Sequence, residues 1–504
     1  MVGLFGTLGT ANKGLNAQQK ALETTGHNIA NANTPGYSRQ RVNMQADRPY
    51  NVTGIGQVGT GVKINSIIRV VDDFVIGNIR TENSAYNYYS QKADVLGQLE
   101  TIFNETPFSK GLSSNLATYF DAWSKLGTNP ELDNAKTIVL ENGNILTDTI
   151  NHMAKQMDDL SKNSLSNLEK STLDFNGKLQ QLDTLNRQIY KVSNDGSTPN
   201  DLLDQRDAVL ESLSDFTKLE TSFDQYGRVS VKIGGEEVLT HNSLKTISVV
   251  VGKDADGKAL VSNGGDSLKP REVVDQPLEV GQILISDNGT TYKEVEMTSG
   301  SAKGLQEAVG ELKQRMSELN NFALGLVKSV NMVHSDNGKG INFFELGPDE
   351  NYALNIKVNQ DIKKDPSKIN TGQDLTNHEV GDGSRATAMA KLKDVRLKYP
   401  VDLAGKYDQE TMTIKSEEGG LTFLGAFVDI VTKNGISKQQ ADNTVASQDY
   451  LLSQLEQRRD SISGVNINEE VSDVMRFQRA FQANSRVISV ISEMLDTLIN
   501  RTGV

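Results

Sequence analysis

The chain is 504 residues long, which at roughly 150 residues per domain predicts about three domains rather than one core. Its 52 Lys and Arg against 65 Asp and Glu leave a net charge of -13, so a phosphate-neutralising surface, and with it a nucleic-acid partner, is not expected. The absence of cysteine excludes disulfides and thiolate metal sites, and it suits a chain that crosses redox compartments or travels unfolded.

The N-terminus has neither a basic start nor a sustained apolar run, so a cleaved general-secretion signal is not expected. No apolar stretch approaches the roughly 20 residues of a membrane helix, which predicts a soluble protein with no membrane insertion. Apolar residues recur every seven positions at Leu8, Leu15, Leu22 and Ile29, with Leu4 and Ala11 as a partial second row. Such a helix cannot hide its stripe alone. Asn33, Thr34, Pro35 and Gly36 end it, because the residue before proline avoids helical angles and Pro-Gly suits the centre of a type II turn. Residues 52–68 read as extended. Gly54, Gly56 and Gly59 match G-x-G-x-x-G literally, but no strand-then-helix unit surrounds them, so they read as turn or bulge glycines.

From Val70 to Phe216 the pattern is helical, with Ile150, Met153, Met157, Leu160, Leu168, Phe175, Leu179, Leu182 and Ile189 at helical spacings. Trp123 sits with Tyr119, Phe120 and Leu126 ahead of the break at Asn129-Pro130 and reads as a core anchor. Arg206, in the run Asp201 to Asp207, has Leu202, Leu203, Val209 and Leu210 as its helical neighbours. Its guanidinium therefore starts from an apolar face, which predicts a partly buried anchor to another element through a carboxylate or backbone carbonyls.

Residues 223–300 change character. Val229, Val231 and Ile233 alternate with polar residues, and Tyr226-Gly227, Gly234-Gly235, Asp256-Gly257 and Asn288-Gly289 supply hairpin turns. Asp254 and Asp256 lack the spacing and the glutamate of a calcium loop and read as a solvated turn. Helix returns from Leu305 to Val333 and stops at Asn337-Gly338, followed by a mixed stretch with strand-like Tyr352 to Val358. A further helical tract runs from Leu421 towards Ile462, and Gly464 marks a hinge. The last seam carries Ile467, Val474, Phe481, Ile488 and Leu495, with Phe477, Ile491 and Leu498 as its second row. Gln18, Thr25, Gln478, Asn484 and Ser485 interrupt the two seams, as polar residues that select register do.

The reading is an α+β multidomain fold: terminal coiled-coil helices, a long helical-bundle domain and a nested antiparallel β insertion. The expected domains are residues 1–65 with 465–504 as a terminal assembly domain, 66–222 with 301–340 and 381–464 as a helical rod, 223–300 as the β insertion, and 341–380 as a short mixed β segment. More than four hundred residues separate the seams, so the simplest partner for one end is the other, and the next is the same pair on a neighbouring copy. Leu8, Leu15, Leu22, Ile29, Ile467, Val474, Phe477, Phe481, Ile488, Ile491, Leu495 and Leu498 are the candidate assembly interface.

Catalytic signatures are missing: no H-E-x-x-H, no G-x-S-x-G, no phosphate loop and no Cys/His cluster. His27, His152, His241, His334 and His378 are scattered singly and read as surface or partly packed side chains. No enzyme, cofactor or metal is expected.

Gly14-Leu15-Asn16-Ala17-Gln18-Gln19-Lys20-Ala21-Leu22, then Asn28-Ile29-Ala30-Asn31 and Thr34-Pro35-Gly36-Tyr37-Ser38-Arg39-Gln40, closely resembles the N-terminal motif of bacterial flagellar axial proteins. Gly464 to Glu470 and Phe477 to Leu498 resemble the C-terminal motif of the same family. The Asp201 to Asp207 run, the Trp123 to Leu140 region and the length resemble its hook-associated junction members. The likeness is weakest in the β insertion and in residues 341–415, and Lys136 stands where arginine is expected. The resemblance implies a terminal coiled-coil layer, a helical rod-like domain and outer β domains, with Asn28, Asn31, Thr34, Pro35, Gly36 and Tyr37 as motif residues. It also implies uncleaved export through the flagellar type III apparatus and self-assembly in the extracellular flagellum, at the distal end of the hook. The implied partners are copies of itself, the hook protein, a second hook-filament junction protein, and an export chaperone on residues 465–504. The alternatives are another axial protein of hook or rod, or a secreted glycan-acting hydrolase or adhesin carrying the same terminal motifs, since helical carboxylates can be paired by folding.

Overall fold

The computed structural model of the chain describes residues 2–52, 54, 56–103, 111–262, 272–286, 291–347, 349–375, 379 and 381–501. Helix α1 (Val2–Ala30) leads into strands β1 (Gln40–Ala46), β2 (Tyr50–Val52), β3 (Gly56–Val58) and β4 (Val62–Arg69). Four helices follow: α2 (Asp73–Phe103), α3 (Leu112–Thr128), α4 (Asp133–Asn194) and α5 (Asn200–Ser214). Then come β5 (Glu220–Phe223), β6 (Val229–Ile233), β7 (Glu236–Leu239), β8 (Thr246–Lys253), β9 (Ala259–Ser262), β10 (Glu272–Val274), β11 (Ile283–Ser286) and β12 (Tyr292–Glu294). After α6 (Gly300–His334) lie β13 (Phe344–Glu345), α7 (Tyr352–Asn355), β14 (Lys357–Val358), α8 (Gln360–Lys364), α9 (Ser384–Lys391), β15 (Tyr407–Asp408) and β16 (Thr413–Ile414). Two long helices, α10 (Phe423–Ser463) and α11 (Ile467–Asp496), close the chain. It divides into two compact units, one of Met1–Asn87, Lys170–Lys303 and Ala446–Val504, the other of Tyr88–Glu169 and Gly304–Val445.

In the first unit α1 packs along α11 and also along an arm built from the β1–β4 ribbon and the β2–β3 hairpin at its tip. Lys13 Nζ meets Asp47 Oδ2 at 2.5 Å, and Thr10 lies against Gly61. Contact on two sides explains which residues α1 buries: Ala11, Ala17, Ala21, Thr24, Thr25 and Asn28, small groups that let two backbones approach. The expected row of Leu8, Leu15, Leu22 and Ile29 is instead half-buried at the flanks of this line. The Thr34-Pro35-Gly36-Tyr37 turn forms as its residues dictate, with Gly36 at φ +76° and the Tyr37 amide on the Thr34 carbonyl at 3.2 Å.

The strands between residues 220 and 294 form two antiparallel sheets, β5-β6-β7 and β10-β9-β8-β11-β12. Val229, Val231 and Ile233 point into the core as their alternation predicts, while the Asn288-Gly289 turn lies outside the described residues. Asparagines of α4 splice these sheets to the helices. Asn186 donates to the Val229 carbonyl at 2.8 Å and accepts from its amide at 2.9 Å, and Asn176 brackets Ile247 in the same way at 2.8 and 3.0 Å. A carboxamide has the donor and acceptor of a peptide group, so each mimics one neighbouring strand residue.

The second unit is centred on Trp123, fully buried against Tyr119, Phe343 and His334, with Phe120 stacked on Phe423. Asn331 repeats the splice, bracketing Phe344 of β13 at 2.8 and 2.9 Å. Two expectations fail here. Tyr352 to Val358 is not one strand: Asn320 Oδ1 accepts the Ala353 amide at 2.9 Å and the helical turn α7 forms, leaving β14 only two residues to pair with β13. His334 is neither on the surface nor partly packed but wholly buried, its Nδ1 donating to the Ile341 carbonyl at 2.8 Å and its Nε2 accepting the Asn370 amide at 3.1 Å. Burial holds this imidazole down at about 4. His378 lies outside the described residues.

Candidate assembly site

The axial motif is a hydrogen-bonded joint centred on Asn28. Its Nδ2 donates to the Gln40 carbonyl at 2.9 Å and to Glu470 Oε2 at 3.0 Å, while its Oδ1 accepts the Tyr37 hydroxyl at 2.8 Å and the Gln40 amide at 3.0 Å. All four positions of a buried carboxamide are thus used, binding the end of α1 to β1 and to the first turn of α11. Burial first, then Asp201, Asp204 and Glu470, push the Tyr37 phenol up, so it stays a neutral donor. Asn31 donates to the His27 carbonyl at 3.0 Å and accepts the Thr34 hydroxyl at 3.2 Å, which fixes the turn before Pro35.

Helix α5 presents a row of carboxylates to this joint. Asp201 accepts Gln40 Nε2 at 2.8 Å and Asp204 accepts the Ser38 amide at 3.1 Å. Arg69 Nη1, at the end of β4, reaches Asp204 at 2.7 Å and Asp207 at 2.9 Å, and Arg80 of α2 reaches Asp207 at 3.1 Å. Arg206 is buried, donates to the Gly227 carbonyl at 2.5 Å and to Asp207 Oδ1 at 2.8 and 3.1 Å, and covers the Phe223 ring at 4.4 Å. Burial would raise Asp207, but Arg206, Arg69 and Arg80 together hold its carboxyl below the usual range. One helical run thereby ties the arm, α2 and the β5–β6 turn to the base of the terminal pair.

The apolar seams leave a different kind of surface. On α11 only Ile491 among the seam residues is fully buried. Val474, Phe477, Phe481, Ile488 and Leu495 are half-buried along the α1 side, and Ile467 and Leu498 remain 49% and 45% exposed. Val471, Met475, Val487, Val490 and Met494 are exposed as well. Asn484 sits against Gly14, where a Cβ would come within 2.8 Å of its side-chain oxygen.

The motif residues and Arg206 converge on one joint, while Trp123 anchors the core of the other unit. Sequence reasoning missed Arg69 and Arg80, and it placed Gln40, Asp204, Asp207 and Glu470 within motif runs without giving any of them a role of its own. Arg69, between Ile68 and Val70, and Arg80, next to Ile79, carry a weaker form of the pattern that singled out Arg206. Among the described residues no group of three or more His, Asp or Glu side chains is arranged to hold a metal ion, and no helix is long and apolar enough to cross a membrane.

Three family models match the sequence: the flagellar hook-associated protein FlgK helical domain over residues 96–344, the flagellar basal body rod FlgEFG protein C-terminal region over 456–501, and the flagella basal body rod protein over 8–37. The flagellar hook-associated protein 1 of Bacillus subtilis is 30% identical over all of this chain and 99% of its own length. Its counterparts from Salmonella typhimurium and Escherichia coli are 24% and 22% identical over 97% and 98% of this chain, and over 98% and 99% of their own. The structure of the flagellar hook junction protein FlgK from Burkholderia pseudomallei aligns with a TM-score of 0.59 at 13% identity, over 77% of this chain and 100% of that one, a likeness of fold.

Proposed function

The chain belongs to the family of flagellar hook-associated protein 1, and from that premise we propose how it performs its task. It is a structural subunit of the bacterial flagellum, built into the axial structure at the junction of hook and filament. Its terminal helices, with the arm beside them, form the assembly layer, and residues in the middle of the chain give the mechanical connection. The role is structural rather than catalytic.

One observation carries this mechanism: after α1 and α11 have paired, their apolar lines are still half-exposed. Heterologous packing that winds helically lets the next copy cover Leu8, Leu15, Leu22 and Ile29 together with the C-terminal seam residues from Ile467 to Leu498. Completing the burial of each is worth about 1 kcal/mol, and for the eleven not already buried this is roughly 10 kcal/mol per copy, comparable to the cost of ordering a subunit. The subunit stacks on the distal hook and carries a second hook-filament junction protein in turn. It leaves the cell through the flagellar type III apparatus with α11 covered by a chaperone, since exposed Val471, Met475, Val487, Val490 and Met494 favour aggregation of an unassembled chain.

Deleting the gene tests the reading. Cells should keep hooks and release unpolymerised filament protein, and chains carrying Leu15→Asp or Ile488→Asp should fail to restore filaments. Intact filaments in the deletion strain would overturn it. A chain truncated after Gly464 should lose the chaperone; retained binding would refute that part alone.

A further inference from the structure

We propose that Arg39 is the positioning residue that sets the direction and rotation with which α11 leaves the corner after α10, and so how the terminal pair is presented to neighbouring copies. This rests on the reading that the terminal pair is the surface other copies engage.

Arg39 is held by its own backbone before its side chain acts. Its amide donates to the carbonyl of Ser463, the last residue of α10, at 2.8 Å, and its carbonyl accepts the Val70 amide at 2.8 Å. The Cα is therefore fixed between the end of α10 and the lead into α2. From there the guanidinium reaches three carboxylates on the opening turns of α11: Nε to Glu470 at 2.7 Å, Nη1 to Glu469 at 3.1 Å and Nη2 to Asp473 at 3.8 Å. The Glu469 contact is a hydrogen bond and the other two are ion pairs; a planar fork facing three carboxylates spread along one helix still restrains its tilt and rotation more than a point charge would.

The acids also need this cation. Glu469 and Glu470 suit the positive end of the helix, and Asn466 caps it by accepting the Asn468 amide at 3.0 Å. Yet Glu470 is almost completely buried, with Arg39 on one oxygen and Asn28 on the other. Within α11 only Arg476, 2.9 Å from Asp473, offsets the cluster. Removing Arg39 leaves a buried carboxylate held by a neutral amide, and the first turn of α11 moves to relieve it.

The lack of cysteine makes a clean test possible in the full chain. Gln205→Cys on α5 and Ser489→Cys on α11, both exposed, take spin labels whose separation reports the direction of α11 relative to the α5 carboxylates. With Arg39 present one narrow distance is expected. Arg39→Gln should broaden it at least about twofold and lower incorporation onto isolated hooks about tenfold, while Arg39→Lys falls between, because an ammonium serves one carboxylate at a time. Arg39→Gln should melt lower than the parent, because buried Glu470 loses its cation, but all three chains should stay folded at the assay temperature, which a general structural defect would not allow. A narrow distance in Arg39→Gln overturns the proposal, and so does incorporation that is unchanged while the distance broadens. Failure of the underlying assembly reading shows separately, as normal incorporation of a chain with Arg39 intact and Leu15→Asp.

Discussion

Asn28→Asp strikes the joint where it has no slack. Aspartate keeps the shape of the side chain and loses both donors. The bonds to the Gln40 carbonyl and to Glu470 Oε2, 2.9 and 3.0 Å in the native chain, disappear, and each buried acceptor left behind costs about 1–3 kcal/mol. The two bonds that Oδ1 accepts, from Tyr37 and the Gln40 amide, survive and strengthen against a charged acceptor, which offsets roughly 1 kcal/mol. The net loss is then about 1–5 kcal/mol, with repulsion from Glu470 pushing towards the upper end. Burial and that repulsion raise the new carboxyl, so acid protonates it and restores one donor; the deficit should be largest near pH 8 and shrink towards pH 5. Hydrogen exchange of residues 20–30 and 467–474, corrected for intrinsic rates, reads the effect as about a hundredfold loss of protection. Native protection at pH 8, or a deficit that grows towards pH 5, would refute the reasoning.

Arg206→Met removes the bond to Gly227 and two to Asp207 but leaves Asp207 with Arg69 and Arg80, so a loss of about 2–4 kcal/mol in urea unfolding is expected. A change within about 0.5 kcal/mol, as at an ordinary surface site, would sink its role as an anchor. The buried imidazole of His334 sits at about 4 against an ordinary 6.5, so the unfolded chain takes up its proton first. Its contribution is complete above pH 6.5 and is lost as the pH falls towards 4, by about 3 kcal/mol in all; an acid slope of the same size in His334→Phe would contradict this. Gly300→Ala should lower the melting temperature clearly, because φ is +85° and a Cβ would collide with the Phe216 carbonyl, whereas Gly177→Ala, on α4 with open space around it, should be neutral or stabilising. Equal effects of the two substitutions would show that the close approach at Gly300 is not maintained in solution.

Periodicity made the long helices legible: α6 from Leu305 to Val333 follows its three-four alternation, and β6 its period of two. Local turn chemistry placed the stop at Pro35-Gly36 and the end of α6 at Asn337 and Gly338, both at positive φ. What escaped the sequence depends on who the neighbour is. The seven-residue row of α1 was plain, but that a β arm would lie on its other side, so that alanines rather than leucines are buried, required tertiary knowledge. Asn176, Asn186 and Asn331 resemble ordinary polar interruptions until a strand is placed beside each of them, and Asn28, a motif residue, shows its bonding role in the same way. His334 was misjudged because a single histidine carries no spacing signal. Arg206 was found because its apolar helical neighbours left its charge nowhere else to go, and Arg69 and Arg80 lacked so clear a frame.

The most direct test compares amide exchange across residues 2–30 and 467–498 in the dilute chain and in copies assembled on hooks. Protection should rise along both helices on assembly, most at Leu15, Leu22, Phe481 and Ile488, whose apolar surface one chain covers only in part. Equal protection in the two states would mean that the pair is already complete in a single chain, and the account of stacking through unfinished seams would be contradicted.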